Sequence, residues 1–156
     1  MKSIRSYYSS SIQDFFSQDD NAILGRIVSN YQMSQLSEMM EYSWEEEIPI
    51  LKEQLKHFSE GHVIFEYVIP RMGKRVDVVF ISANIIFLLE FKVGNNEAGA
   101  LNQVLDYALD LKNFQKESHN KLLVPIAVIT ESEERKNTFS VYDDKITTPL
   151  FANKKT

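Results

Sequence analysis

The chain has 156 residues, of which 44% are hydrophobic and 25% charged, a composition typical of a globular domain. It has no cysteine, which excludes disulfide staples, thiol nucleophiles and cysteine zinc sites. The net charge is −5, so the overall basicity that is frequent in nucleic-acid-binding proteins is missing. No apolar run is long and pure enough for a signal peptide or a membrane span, and we expect a cytoplasmic protein that is not bound to membranes.

Residues 1–42 are polar and acidic and are predicted to form an N-terminal helical extension. Apolar residues at helical spacing indicate short helices around 12–16 and over 20–31. Ser43 and Glu46 then fit a capping box, so the next helix is expected to begin with Ser43 as its N-cap.

Three β-rich segments follow, joined by short polar turns. The segments 63–70, 75–81 and 85–93 predict an antiparallel meander, and the third is almost wholly apolar, as expected of a central strand. The stretch 98–114 returns to helical periodicity, and 122–130 reads as a fourth strand. Because it follows a long helix, this strand can pair parallel to the third one.

The element order predicts an α+β fold, with a mixed central sheet flanked by helices. We place its core at residues 43–132 and expect residues 133–156 to add an edge segment.

Three charged residues lie inside predicted strands: Asp77 in RVDVVFI, and Glu90 and Lys92 in IIFLLEFKV. A strand interior is a costly place for a charge unless the charge is paired or binds a metal. Glu90 and Lys92 are two residues apart and share a face, and the turn at 82–84 brings Asp77 to the Glu90 end. Each residue alone fits a structural ion pair, whereas the three together favour a functional site.

Two carboxylates with one backbone carbonyl, expected to be that of Phe91, suit Mg²⁺ or Mn²⁺. Such an ion polarises a phosphodiester and lowers the pKa of bound water. The Lys92 ammonium can orient that water or stabilise charge on the phosphate. The pattern therefore predicts metal-dependent phosphodiester cleavage, with Asp77, Glu90 and Lys92 as catalytic residues.

Gln103 and Tyr107 lie one turn apart on the helix that follows, beside its apolar stripe. One interpretation is a hydrogen-bonded amide and a packed tyrosine. The other is that both lean over the sheet end and contact the metal-bound water or the scissile phosphate.

Five positions together resemble the PD-(D/E)XK nuclease superfamily, in particular its RecB-like branch: Asp77, Glu90, Lys92, Gln103 and Tyr107. The resemblance implies a restriction-endonuclease-like core (αβββαβ). Its two carboxylates bind metal, the lysine assists the water, and the glutamine and tyrosine support the site. Val76 stands where the signature has proline, at a position that varies in the superfamily. An acid of the first core helix often reaches the metal in this superfamily; here that would be Glu47, with Glu45 and Glu46 as competitors.

Longer segments, among them VIFEYVIPRMGKRVDVVF, LLEFKVG and ALNQVLDYALDLKNFQKESHNK, are similar to the N-terminal region of bacterial Schlafen group 3-like proteins. These are P-loop ATPases or helicases of an uncharacterised family, discussed in connection with phage defence. The chain lacks a G-x-x-x-x-G-K-[ST] motif. The resemblance thus implies a nuclease domain, with DNA favoured as substrate, from a longer protein whose ATPase domain follows it.

Four basic residues are candidates for contact with nucleic acid: Arg71, Lys74, Arg75 and Lys112. A solvated turn is an equal alternative for the first three. Glu66, a charge within a strand, is expected to face solvent. The alternative to a nuclease is an inactive module of the same fold that binds nucleic acid or mediates assembly, and homo-oligomerisation stays open.

Overall fold

A computed structural model describes residues 5–31, 38–69, 72, 74–95, 97–114 and 120–156. Arg71 lies outside them. The described residues form four helices and one six-stranded mixed sheet, which confirms the α+β class. The elements are β1 (Tyr8–Ser11), α1 (Ile12–Ser17), α2 (Asp20–Asn30), α3 (Glu38–Leu55), β2 (His62–Val68), β3 (Arg75–Ser82), β4 (Ile85–Lys92), α4 (Ala100–Phe114), β5 (Leu122–Ile129) and β6 (Leu150–Ala152).

The strands lie in the order β1-β2-β3-β4-β5-β6. The first four pair antiparallel in succession, and β5 and β6 continue the sheet parallel to β4. The predicted meander, the parallel return through a helix and the interior position of β4 are confirmed. The C-terminal segment supplies the expected edge strand, β6.

Helices cover both faces of the sheet. On one face, α1, α2 and α3 bury a core that includes Phe15 and Trp44. On the other face, α4 packs through Val104 and Leu111. Burying one such large apolar side chain contributes about 1.5–3 kcal/mol. In the described part of the chain, no helix has the length and apolarity needed to cross a bilayer.

The start of α3 differs from the prediction. The helix begins at Glu38, so Ser43 lies within it and does not cap it. The intervening residues are mostly good helix formers, and they extend the helix upstream of the capping-box pattern. Pro49 is also inside α3 but is exposed, so solvent can satisfy the carbonyl that loses its helical partner.

The strand β1 arises within the predicted helical extension. Tyr8 is buried in it, and its ring packs on that of Phe65 of β2 with 5.8 Å between centroids. Ser11 ends the strand and caps α1, because its side chain accepts a hydrogen bond from the Asp14 N–H at 3.2 Å. Three consecutive serines conceal the strand's alternation in the sequence.

Candidate functional site

Three acidic residues stand in one row across three neighbouring strands. In the β2–β3 register, Glu66 and Asp77 stand between the pairs Phe65–Val78 and Tyr67–Val76. The β3–β4 register, continued by one residue, sets Asp77 opposite Glu90. The sequence anticipated the neighbourhood of Asp77 and Glu90, whereas the place of Glu66 in this row was missed.

The sheet becomes irregular at this row. Recorded pairing between β3 and β4 ends at Val78 and Leu89. Beyond that point, the Phe91 N–H donates a hydrogen bond to Oδ2 of Asp77 at 2.8 Å. The carboxylate thereby takes the place of a backbone acceptor, which fixes its position at the end of the strand pair.

The alternation of side chains also reverses there. Val76 belongs to the core under α4 and Val78 to the core under α1–α3, although residues two apart normally share a face. Opposite them, Glu66 has a φ of 54°, a left-handed conformation that residues with a side chain rarely adopt. The acids of the row therefore belong to neither apolar core.

They line a cavity of about 580 Å³, to which the α3 and α4 helices contribute the other walls. The lining residues are Ser43, Trp44, Glu47, Glu66, Arg75, Asp77, Glu90, Phe91, Gln103 and Tyr107. The structure thus brings together all the predicted catalytic and metal-binding residues except Lys92, which lies beside the cavity through its contact with Glu90. Phe91 packs its side chain into the α1–α3 core, as expected from its opposite orientation in β4.

Glu90 is buried, and Asp77 lies partly buried beside it. Burial raises the pKa of Glu90 to about 7, although the ammonium of Lys92, whose Nζ is 3.6 Å from Oε1, lowers it. Burial, followed by the charge of Glu90, raises the pKa of Asp77 well above its usual range. At neutral pH, the pair therefore resists carrying two full negative charges.

Glu47 and Glu66 extend the acidic cluster. Glu47 is 2% exposed, and burial, then the charge of Asp77, raises its pKa well above the ordinary value. Glu66 accepts a hydrogen bond from Trp44 Nε1 at 3.0 Å, and its Oε2 is 3.6 Å from Nε of Arg75. Burial nevertheless raises the pKa of Glu66 to about 7.

Gln103 and Tyr107 face the acids from α4. Nε2 of Gln103 donates a hydrogen bond to the Tyr107 hydroxyl at 2.7 Å. Burial, then the charge of Glu90, raises the pKa of Tyr107 to about 12, so its hydroxyl keeps its proton at neutral pH. The tyrosine is both a packed residue of the α4 core and a hydroxyl at the cavity wall, so the two interpretations of this pair are compatible.

The candidate basic residues separate into two groups. Arg75 lines the cavity. Lys74 is 3.2 Å from Asp110, and Lys112 donates a hydrogen bond to the carbonyl of Lys121 at 2.9 Å. Neither lysine lines the cavity, so Arg75 has the most direct access to anything bound there.

The four carboxylates offer the oxygen ligands that Mg²⁺ and Mn²⁺ prefer. As placed, no three His, Cys, Asp or Glu side chains among the described residues are gathered closely enough to hold an ion. Within that same part of the chain, Oε2 of Glu47 and Oε2 of Glu90 are buried without a hydrogen-bond partner. Such atoms are costly unless a ligand satisfies them. By chemistry, the donor set fits a hard divalent cation, around which the carboxylates would have to draw closer.

Sequence reasoning missed the contributions of Glu66 and Trp44 to the cavity. Trp44 was expected in the core, and it is buried there, but its indole N–H also holds Glu66. The available signal for Glu66 was its charge inside a strand of otherwise apolar residues. No family model matches the chain, and no curated protein matches it either.

Proposed function

We propose that this chain is a metal-dependent nuclease domain of the PD-(D/E)XK type, with a restriction-endonuclease-like core. The observation that carries the proposal is the single cavity that holds Asp77, Glu90 and the Gln103–Tyr107 pair, with Lys92 next to it. Two further buried acids, Glu47 and Glu66, line the same cavity. An acidic cavity with unsatisfied carboxylate oxygens is better explained by a bound cation than by packing alone.

The residues have distinct roles in this proposal. Asp77, Glu90 and the Phe91 carbonyl would hold the ion, with Glu47 as a further oxygen donor. When bound, Mg²⁺ or Mn²⁺ supplies Lewis-acid polarisation of the phosphodiester and a more acidic water. Lys92 keeps an ammonium beside Glu90, where it can orient the attacking water or stabilise charge on the phosphate.

The protonated hydroxyl of Tyr107 supports the site from the α4 side. Because Gln103 donates to its oxygen, the hydroxyl hydrogen is free to point toward a carboxylate or a phosphate oxygen. We further propose DNA as the substrate and a P-loop ATPase domain as the partner within a longer protein, on the strength of the resemblance in sequence.

A second candidate is an inactive module of the same fold that binds nucleic acid or mediates assembly. The hydrogen bond from the Phe91 N–H to Asp77 favours it, because it gives the central carboxylate a structural role. The absence of a ready set of three metal ligands among the described residues points the same way.

Cleavage assays distinguish the two candidates. Supercoiled, linear and single-stranded DNA, and RNA, are incubated with the protein in Mg²⁺, Mn²⁺ or EDTA. We expect cleavage that EDTA abolishes and that Asp77→Asn and Lys92→Ala each reduce by at least about 100-fold. Asp110→Asn is the matched control, since Asp110 pairs with Lys74 outside the cavity. Cleavage that persists in both site variants would reject the assignment, and no cleavage of any substrate would favour the inactive module.

A further inference from the structure

Two basic residues stand beside the acidic row. Arg75 precedes Asp77 by two residues on β3, and Lys92 follows Glu90 by two on β4. Each cation contacts an acid of the row: Arg75 contacts Glu66, and Lys92 contacts Glu90, both at 3.6 Å.

The guanidinium of Arg75 is held from two sides. Its Nε faces Glu66, and its Nη1 donates a hydrogen bond to the Tyr7 hydroxyl. Its Cζ also lies 5.3 Å from the centroid of the Tyr7 ring. The side chain lines the cavity and remains 30% exposed. The guanidinium is therefore accessible to a ligand in the cavity.

Glu66 is in turn held in place by its surroundings. The indole of Trp44 donates to its Oε1, and its own backbone adopts the left-handed conformation at φ 54°. Such a conformation persists only where neighbouring structure enforces it, and it is frequent at functional sites. An ordinary surface ion pair would need neither the strained backbone nor the buried indole partner.

The charges of the cavity indicate a function for Arg75. A phosphodiester is an anion, and four carboxylates in the cavity oppose its approach. A guanidinium presents a planar fork of donors that matches phosphate oxygens, and it stays charged at any physiological pH. We propose that Arg75 binds a non-bridging phosphate oxygen of the substrate and that Glu66, held by Trp44, is its positioning residue. This inference rests on the proposed nuclease function, and it adds a phosphate-binding group that the superfamily motif does not include.

Equilibrium binding tests the inference without requiring cleavage. A fluorescent oligonucleotide is titrated with the protein in Ca²⁺, a hard cation that takes oxygen ligands, at several salt concentrations. We expect Arg75→Ala to weaken binding by about tenfold and to reduce the slope of log K against log salt by about one. Arg26→Ala is the matched control, because Arg26 also stacks on a tyrosine, with its Cζ 4.8 Å from the Tyr8 ring centroid, but does not line the cavity.

The positioning role of Glu66 has a separate signature. Glu66→Gln preserves the acceptor for Trp44 and leaves the charge of Arg75 in place. We therefore expect kcat to fall by about tenfold with no rise in KM. Without the Glu66 charge, the Arg75 guanidinium still attracts the substrate phosphate but no longer holds it in the reactive orientation. If Arg75→Ala fails to fold because it strands Glu66, the double variant Glu66→Gln, Arg75→Gln removes both charges and takes its place.

The outcomes are distinct. An affinity and a salt slope unchanged by loss of Arg75, or no binding by the unmodified protein, would overturn the inference. Binding that depends on Arg75 without any cleavage would uphold the phosphate site and reject the nuclease. Cleavage that depends on Asp77 but is unchanged by loss of Arg75 or Glu66 would uphold the nuclease and reject the phosphate site.

Discussion

Replacing Glu90 with glutamine is expected to stabilise the protein strongly at pH 8 and only slightly at pH 5. Burial raises the pKa of Glu90 from its ordinary 4.5 to about 7 in the folded protein. Between these values, the native state binds more protons than the unfolded state, so stability falls as pH rises. The contribution of the neutral carboxyl is fully present below pH 4.5 and is lost by about pH 7. Glutamine keeps the shape of the side chain and cannot ionise.

The size of the effect follows from the same two pKa values. A rise from 4.5 to about 7 corresponds to about 3 kcal/mol of unfolding free energy at pH 8. The pKa of about 7 already includes the favourable charge of Lys92, so the loss of that charge pair needs no separate deduction. A gain of about 3 kcal/mol raises the melting temperature of a 156-residue chain by roughly 6–12 °C.

Thermal unfolding followed by circular dichroism measures this effect between pH 5 and 8.5, in EDTA. Glu60→Gln is the control, because Glu60 is exposed and lies outside the cavity. The reasoning would be refuted if the Glu90→Gln protein differed from the unmodified one by the same amount at pH 5 and pH 8. It would also fail if the unmodified protein became more stable on going from pH 5 to pH 8 without divalent ions.

Three further outcomes are expected. Mg²⁺ at 100 times its dissociation constant should stabilise the protein by about 2.7 kcal/mol at pH 8, and Asp77→Asn should abolish this shift in a melting assay. The fluorescence of Trp44, the one tryptophan in the sequence, should titrate with a midpoint near 7 through its bond to Glu66, and Glu66→Gln should remove that transition. Gly61→Ala should cost about 1–3 kcal/mol in a denaturant titration, because its Cβ would stand 2.6 Å from the ring of Phe80. A Gly61→Ala protein as stable as the original would contradict the packing described here.

The sequence predicted the parts of the fold that local patterns determine. The strands β2 to β5 are β-branched and apolar, so their existence follows from composition. Short turns separate β2, β3 and β4, so the antiparallel order of these three strands follows too. The β3–β4 turn is short enough to fix the register, and the nearness of Asp77 to Glu90 comes from that register. Helix α4 follows from its periodicity, which also sets Gln103 and Tyr107 on one face.

The remaining features depend on contacts that no local pattern encodes. Glu66 was expected to face solvent on an alternating strand, but it is buried at the cavity wall and has a left-handed backbone. Nothing in the identity of a glutamate signals a positive φ, which is typical of glycine and asparagine. The β1 strand is stabilised by the packing of Tyr8 on Phe65 of β2. This is a tertiary contact that cannot be predicted from the serines around Tyr8.

The charge balance of the cavity connects its stability with its proposed chemistry. The cavity holds four carboxylates, and two of them, Glu66 and Glu90, contact the cations Arg75 and Lys92, which leaves two negative charges when every acid is ionised. Two protons can neutralise that excess, and the raised pKa values of the acids mean that the folded protein favours binding them. One divalent cation removes it equally well, and it also satisfies the buried oxygens of Glu47 and Glu90 that protons leave without partners. Two protons or one divalent cation can therefore neutralise the same excess of negative charge. Because the acids are costly to keep ionised without metal, we expect the cavity to bind one ion at neutral pH.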